Sequence, residues 1–367
     1  MANIALDGLG ANYKGTYASK ILLEPMFSGD DIMRHYTIYP NVKYKKNLML
    51  APKLQGITAV NTGCATTNTC DPAGFTIEPK IITVENVSVK QTQCWTEFKD
   101  QVIVESYKRG LNMSDLSGTE LADVIINRVR DGIRYDMTRN MWSGNTSAGV
   151  IALDCTYDAM GNGLWRTLSD GNAINAGTQL REVTAASTAA ANLVAVGGAI
   201  APADADLLLQ TVFDTAPAEL QQVPASEKRM FVTPNVYNAY YGALTTIASA
   251  GAVDYGHSEA QSGVNYNRLR YRGVEIVPIY QWDDAFTTLG AAQHPSLFTA
   301  AGAGTKPTNG CIYAAKDNLF IGTDVTSPDT QLKMFYDDAS ENMYVRANFT
   351  MGFQYGWNSL VNGGMLV

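Results

Sequence analysis

The stretch SGTELADVIINRVRDGIRYDMTRNMWSGN, residues 117–145, has the clearest periodicity in the chain. Ser117 and Glu120 stand three residues apart, which is the spacing of a capping box at a helix N-terminus. Apolar or small residues then recur at spacings of three and four, as on one stripe of an α-helix. They are Leu121, Val124, Ile125, Val129, Gly132, Ile133, Met137 and Met141. The pattern predicts an amphipathic helix over about residues 118–142, about 36 Å long at 1.5 Å per residue.

Two extended segments are predicted before this helix. Residues 1–47 combine many aromatic side chains with glycines and prolines that break any helix longer than a turn or two. We expect this arm to lie on another surface, in the same chain or in a neighbour. Residues 48–90 predict a two-stranded excursion. Leu48–Leu50 leads out, Lys80–Val84 leads back, and the small polar residues of 63–74 form its tip.

The chain after the long helix is predicted to form helices and buried strands. Thr233 and Pro234 indicate a helix start, with threonine as the N-cap and proline at the first helical position. Along residues 343–355 polar and apolar side chains alternate, which is the period of a half-buried strand. Other predicted elements lie at 203–213, 228–232, 236–247, 270–279, 310–315 and 316–322.

The composition of the 367-residue chain limits its partners. Only 17% of its residues are charged, against about 25% in a typical soluble domain, so much of the surface is expected to be covered by partners. Its formal net charge of −8, with no basic patch in the sequence, argues against tight nucleic-acid binding. No apolar run approaches the about 20 residues of a membrane span, and no secretion signal is recognisable at the N-terminus.

The sequence offers little material for catalysis. His35, His257 and His294 are far apart in sequence, and we expect each to be a solvated residue and not a general base. There is no phosphate-binding glycine loop of the usual pattern. The acidic pairs at 30–31, 283–284 and 337–338 lack the spacing of a calcium loop. The sequence therefore predicts a protein that is not an enzyme and holds no cofactor or metal.

Cys64 and Cys70 share the tip of the two-stranded excursion. The five residues between them do not match a Cys-x-x-Cys metal knuckle, and no histidine is near, so zinc is disfavoured. A disulfide formed after release into an oxidising medium is the alternative. Two free thiols are the favoured interpretation.

The order of the predicted elements resembles that of the major capsid proteins of tailed bacteriophages, which have the Hong Kong 97-like capsid fold. Residues 121–145 resemble the spine helix and the run that ends it. Met230–Tyr237 is similar to a strand and helix of the axial domain, Tyr271–Pro278 to a later strand, and Asp337–Phe353 to the last strands of the peripheral domain.

The resemblance implies an α+β fold with five parts. The N-terminal arm would be 1–47 and the extended β-hairpin, or E-loop, 48–90. The peripheral domain would combine 91–179 with 321–367 and include the spine helix at 115–143. The axial domain would be 180–320.

The resemblance also implies a function. Capsid proteins of this family form hexamers and pentamers that close into an icosahedral virion shell around double-stranded DNA, assembled in the bacterial cytoplasm. The implied partners are further copies of the chain, a portal, separate scaffolding or decoration proteins, and packaged DNA in non-specific contact, without a membrane. The alternative within the fold is an encapsulin-like compartment that holds cargo enzymes. A β-rich tail or surface-layer protein is disfavoured because the chain has no repeats.

Some members of the family join subunits through a Lys–Asn isopeptide bond. The E-loop tip between Gly56 and Ile77 contains no lysine, and the flanking lysines are Lys53 and Lys80, which argues against such a bond here. A disulfide through Cys64 or Cys70 across subunits is a hypothesis for a cross-link in its place.

Overall fold

The computed structural model describes residues 35–51, 77–94, 136–138, 140–144, 162–169, 179–189, 193, 197–248, 269–280, 282–283, 308–324, 333–337 and 342–367. The strands are β1 (Thr37–Tyr39), β2 (Lys45–Leu50), β3 (Glu78–Thr83), β4 (Glu85–Cys94), β5 (Leu180–Val183), β6 (Lys228–Val232), β7 (Arg270–Tyr271), β8 (Val274–Pro278), β9 (Gly310–Ala315), β10 (Leu319–Thr323), β11 (Lys333–Asp337), β12 (Asn342–Tyr355) and β13 (Val361–Leu366). The helices are α1 (Leu164–Ser169), α2 (Pro202–Asp214), α3 (Ala218–Gln222) and α4 (Pro234–Ala248), with further helical residues at 136–138 and 140–143.

The first sheet has five strands and is built on β12. β4 pairs antiparallel with β12 along one side, while β10 and β11 pair antiparallel along the other, and β1 adds in parallel to β10. Val345, Ala347 and Phe349 are buried, whereas Arg346 and Asn348 are exposed. The alternation predicted along this strand is therefore confirmed, because at residues 345–349 one face of the sheet packs on the core and the other is exposed.

The second sheet has six strands in the order β5-β13-β9-β6-β8-β7. Every residue of β9 and β13 is buried, and α2 packs closely on β13, since a Cβ on Gly364 would lie 2.6 Å from Val212. Residues 321–367, which the predicted boundaries place together in the peripheral domain, contain both β12 and β13. The strand pairing puts β13 in this second sheet, whereas β12 lies in the first. The turn at Asn358–Leu360 redirects the chain between the two sheets.

β2 and β3 form an antiparallel hairpin of their own, in which Leu48 pairs with Lys80 and Leu50 with Glu78. The predicted two-stranded pairing is confirmed, and it begins three residues earlier than expected, at Lys45. The tip, including Cys64 and Cys70, lies outside the described residues.

The described part of the predicted spine helix, 136–138 and 140–143, is helical. The rest of that helix lies outside the described residues. α2 and α4 confirm the helices predicted at 203–213 and 236–247. None of the helices in the described ranges is both long enough and apolar enough to cross a membrane.

α4 begins at Pro234, as the sequence predicted, with Thr233 in the N-cap position. The Thr233 hydroxyl, however, is buried without a hydrogen-bond partner among the described residues, so the expected side-chain cap is not formed. The Thr233 amide instead donates to the Gly310 carbonyl (3.1 Å), which ties the start of α4 to β9.

A cluster of buried aromatic side chains joins these parts. The ring centroids of Trp142 and Trp282 are 5.3 Å apart, those of Trp165 and Trp282 are 5.2 Å apart, and both pairs are edge to face. Trp142 also contacts Phe231 of β6 and Tyr36, which immediately precedes β1. We call these five residues the aromatic cluster.

Glycine allows the β2–β3 hairpin to lie directly on the first sheet. A Cβ on Gly352 of β12 would overlap the Thr83 carbonyl oxygen of β3, and one on Gly322 of β10 would lie 3.0 Å from the Ile82 side chain. Only a residue without a side chain fits at Gly352, because the obstructing atom belongs to backbone that cannot rotate away.

Asp204, in the first turn of α2, is almost fully buried. Its carboxylate accepts hydrogen bonds from the amides of Ala186 and Ser187 and from the Thr188 hydroxyl. Burial alone would raise the pKa of Asp204, but these hydrogen bonds hold the pKa below its ordinary value of 3.8. The charged carboxylate thereby fixes the segment after β5 to the helix.

We predict that Gly352→Ala lowers the free energy of unfolding by about 1–3 kcal/mol, because the added methyl group forces the hairpin off the sheet. Gly242→Ala is the matched control: nothing lies within 4 Å of a Cβ there, and alanine favours the interior of α4. Urea unfolding of both variants measures the difference. Equal stability of Gly352→Ala and the wild type would contradict the close contact.

We predict that Asp204→Asn removes a pH-dependent part of the stability. Because the pKa of Asp204 in the folded chain lies below 3.8, its carboxylate stabilises the fold above that pH, and the effect is lost as the pH falls through the folded pKa. The wild type should exceed the variant by about 1.5–3 kcal/mol near neutral pH, and the two should converge in acid.

Urea unfolding along a pH series measures this convergence. Asp317→Asn is the control, since Asp317 is exposed in the turn before β10, and it should follow the wild type throughout. A constant gap between wild type and Asp204→Asn at every pH would show that the carboxylate charge is not the stabilising feature.

Candidate assembly surface

Most of the residues that the sequence singled out as candidate sites lie outside the described residues. Cys64, Cys70, His257 and His294 lie outside the described residues, so their predicted roles stay predictions. Each acidic pair also has at least one member outside the described residues. In the part of the chain that the structure describes, no group of three metal-ligating side chains occurs.

The prediction of a solvated His35 is wrong. Its side chain is buried, and its ring lies edge to face on Phe231 with centroids 4.9 Å apart. The physical reason is that β1 docks the end of the arm onto the first sheet and so carries His35 into the aromatic cluster. Cys311 is likewise fully buried in β9, and burial raises the pKa of its thiol.

The hairpin β2–β3 has one face packed inward. Ile82 is fully buried, and Leu48, Val42 and Val84 pack with it as one small apolar cluster against the ring of Phe320. Successive side chains of a strand point to opposite faces, so the neighbours of these residues must point outward. The hairpin is therefore held by its inner face, and its outer face is displayed.

The outer face of the hairpin carries an apolar patch beside the exposed residues Lys45, Asn47 and Thr83. Met49 is 77% exposed, Ile77 50% and Ile81 44%. Met49 pairs directly with Pro79, which is also exposed, so these four residues form a continuous surface that we call the outer hairpin face. Contiguous exposed apolar side chains on a folded element are typical of protein–protein contacts.

The sequence predicts the hairpin but does not by itself single out these exposed residues. The alternation along β2 and β3 was the available signal, since Leu48 and Ile82 are apolar on one face and Met49 and Ile81 on the other. A strand that is apolar on both faces is expected either in the middle of a core or at an interface. The sequence alone could not decide between the two.

Lys80 of β3 fixes the hairpin to the turn between the two sheets. Its Nζ donates to the Gly356 carbonyl and to Asn358 Oδ1, both at 3.0 Å, and lies 3.5 Å from the centroid of the Tyr355 ring. Burial lowers the pKa of this amine to about 8. Lys80 was one of the two lysines expected to flank the tip, and here it serves to anchor the hairpin within its own chain.

The geometry thus combines a closely packed hairpin with an apolar patch on its outer face. The inner apolar cluster, the Gly352 contact and Lys80 all act on the same two strands. A face held in one orientation loses little conformational entropy when a partner covers it, which favours association. The arrangement is therefore suited to binding a protein surface.

Comparison with known proteins identifies the fold. No protein-family model and no curated protein sequence matches the chain. Among solved structures, a chain of the satellite phage P4 procapsid, which includes the size determination (Sid) protein, has a TM-score of 0.56 at 10% identity, over 95% of this chain and 90% of that one.

Two further capsids have lower scores. The capsid of Myoviridae phage XM1 has a TM-score of 0.49 at 11% identity, covering 100% and 97% of the two chains. The capsid of cyanophage P-SCSP1u has 0.47 at 12% identity, covering 100% and 93%. The TM-score with the phage P4 procapsid chain exceeds 0.5, and that comparison covers 95% of this chain. This chain has the α+β, Hong Kong 97-like capsid fold that its sequence predicted.

Proposed function

We propose that this chain is the major capsid protein of a tailed bacteriophage. In this proposal its copies assemble as hexamers and pentamers into an icosahedral shell around double-stranded DNA, and the chain has no catalytic role. The observation that supports the proposal most is the likeness to a phage procapsid chain over 95% of the sequence. Fold alone does not fix function, so the proposal also needs a surface through which copies could meet.

The outer hairpin face supplies such a surface. Met49 and Ile81 would be exposed to water in a lone subunit, and burying them against a second copy would gain roughly 25 cal/mol per Å² of apolar area. Many copies repeat the contact around a closed shell, so a modest gain at each one becomes a large total. In this proposal the hairpin is the base of the E-loop, residues 48–90.

The charge of the chain fits an internal cargo of DNA that must not adhere to the wall. A net charge of −8 repels phosphates and leaves only weak, non-specific contact. The remaining partners that we propose are a portal and separate scaffolding or decoration proteins. The chain would be made in the bacterial cytoplasm and end in the virion capsid.

The encapsulin-like compartment remains the second use of such a fold, but no observation on this chain favours it. The two functions differ in what the shell encloses. Nuclease-protected DNA inside particles from infected cells supports the capsid, and an enclosed enzyme without DNA would contradict it.

Assembly itself can be tested with the chain expressed alone, by size-exclusion chromatography and negative-stain electron microscopy. We expect closed shells, or rings of five and six subunits. A monomer at every protein and salt concentration, also when neighbouring genes are co-expressed, would contradict the proposal.

We predict that the double substitution Met49→Asp with Ile81→Asp abolishes shells while the subunit stays folded. Two carboxylates would have to lose their water in the contact, at a cost of several kcal/mol for each ion. Gln210→Asp, on the exposed side of α2, is the matched control and should assemble like the wild type. Circular dichroism and electron microscopy separate loss of folding from loss of assembly. Normal shells from the double variant would show that the outer hairpin face is not a subunit contact.

A further inference from the structure

A row of three basic residues crosses the first sheet. Arg346 of β12 stands directly opposite Lys90 of β4 on one side and opposite Lys333 of β11 on the other. Lys90 and Arg346 are exposed, and like charges directly opposite each other destabilise a sheet. The sequence shows no basic patch here, because these residues come from three separate strands and meet only in the sheet. We call Lys90, Arg346 and Lys333 the basic row.

The basic row lies in a region with a surplus of positive charge. The end of the arm, the hairpin and strands β4, β11 and β12 cover residues 35–51, 77–94, 333–337 and 342–355. These residues include seven lysines and arginines but only three carboxylates. The seven are Lys43, Lys45, Lys46, Lys80, Lys90, Lys333 and Arg346. Because the whole chain has a formal net charge of −8, its negative charge must be concentrated elsewhere.

The opposite surplus is found on α2 and α3. Residues 182–227 contain six carboxylates and no lysine or arginine. Asp204 is buried, whereas the carboxylates on the rest of α2, on α3 and in the turn after α3 are exposed. One of them, Asp214, forms an ion pair with Arg272. We call the four exposed residues the acidic surface: Asp206, Asp214, Glu219 and Glu227.

The basic row is too far from α3 of its own chain to be neutralised by it. α3 packs against the turn Asn358–Leu360, which follows the end of β12 at Tyr355. Arg346 precedes Tyr355 by nine residues, which is about 30 Å along an extended strand. Attraction between exposed charges is largely screened beyond about 8–10 Å in physiological salt. A second copy of the chain could bring the two surfaces together.

We propose that the basic row of one copy contacts the acidic surface of a second copy. This inference rests on the proposed function and names the charged partner surfaces of the subunit contact. Carboxylates from the second copy would relieve the repulsion within the basic row, and complementary charge would guide the two copies into register. Because two different surfaces meet, the contact repeats head to tail and can close into a ring, as the proposed rings of five and six subunits require.

Charge reversal tests this pairing. Lys90→Glu with Arg346→Glu, and in a separate chain Asp206→Lys with Glu219→Lys, should each raise the chain concentration needed for half-assembly at least about tenfold. The two variants change the net charge in opposite directions, so a general effect of net charge cannot explain a loss in both. All four substitutions in one chain should restore the shells, because the ion pairs are rebuilt with their charges exchanged.

The matched control for this rescue is Glu85→Lys with Asp317→Lys. Both carboxylates are exposed and lie outside the acidic surface, and their replacement changes the net charge as much as Asp206→Lys with Glu219→Lys does. Added to the chain with Lys90→Glu and Arg346→Glu, the control pair should not restore the shells. Circular dichroism shows whether each variant is folded, and electron microscopy shows whether shells form.

Carbodiimide coupling gives a second readout that needs no substitution. The reagent joins a lysine amine to a carboxylate only where the two groups are in contact. Heavy-isotope-labelled and unlabelled full-length chains are mixed before assembly, and the coupled shells are digested and analysed by mass spectrometry. We expect mixed-isotope products that join Lys90 to a peptide from residues 202–227, in shells and not in dissociated subunits.

Each other outcome overturns the inference. Normal shells from either reversed variant, no rescue in a folded chain with all four substitutions, or Lys90 products without residues 202–227 would do so and leave the proposed function intact. Protection of Lys90 only in DNA-filled particles would assign the basic row to phosphate groups instead. Failure of the wild type to assemble at all would remove the proposed function as well.

Discussion

The aromatic cluster is the contact on which the rest of the structure depends. Trp142, Trp165 and Trp282 come from segments far apart in sequence, and all three are fully or almost fully buried. Phe231 ties them to the second sheet, and Tyr36 ties them to the arm. Rings of this size bury roughly 150–250 Å² each, and edge-to-face pairs add about 0.5–1.5 kcal/mol beyond that burial. A change in this cluster would therefore loosen the arm, the helix end and the second sheet together.

The chain runs from the aromatic cluster directly to the hairpin, so the cluster helps to set the position of the hairpin. The arm leaves the aromatic cluster as β1, pairs with β10, and continues through Val42 into β2. The chain returns along β3 and passes straight into β4, which pairs with β12. Gly322 and Gly352 let the hairpin lie flat on the first sheet. Lys80 of the hairpin donates a hydrogen bond to the Gly356 carbonyl in the turn after β12. Ile77, Pro79 and Ile81 of the outer hairpin face thus lie on the same continuous stretch of chain as β4, residues 77–94.

Buried asparagine side chains form hydrogen bonds where the chain passes from the first sheet to the second. Buried Asn318 donates to the Trp357 carbonyl and accepts from the Trp357 amide, and so fixes the turn that carries the chain from β12 to β13. Asn362 of β13 donates to the Val212 carbonyl near the end of α2. Such buried amides are costly unless every hydrogen bond is made, so they select one arrangement of the two sheets over others.

The sequence by itself determined the local elements of this chain. Period-two alternation predicted β12, the apolar runs predicted β6 and β9, and proline after threonine predicted the start of α4, because these signals depend only on neighbours in sequence. The order of the elements also carried the resemblance to capsid proteins. The tertiary structure alone decided which elements meet: that β13 joins the second sheet, that His35 is buried, that Lys80 anchors the hairpin, and that Met49 faces outward. Those outcomes depend on contacts between residues tens to hundreds of positions apart, which no local pattern encodes.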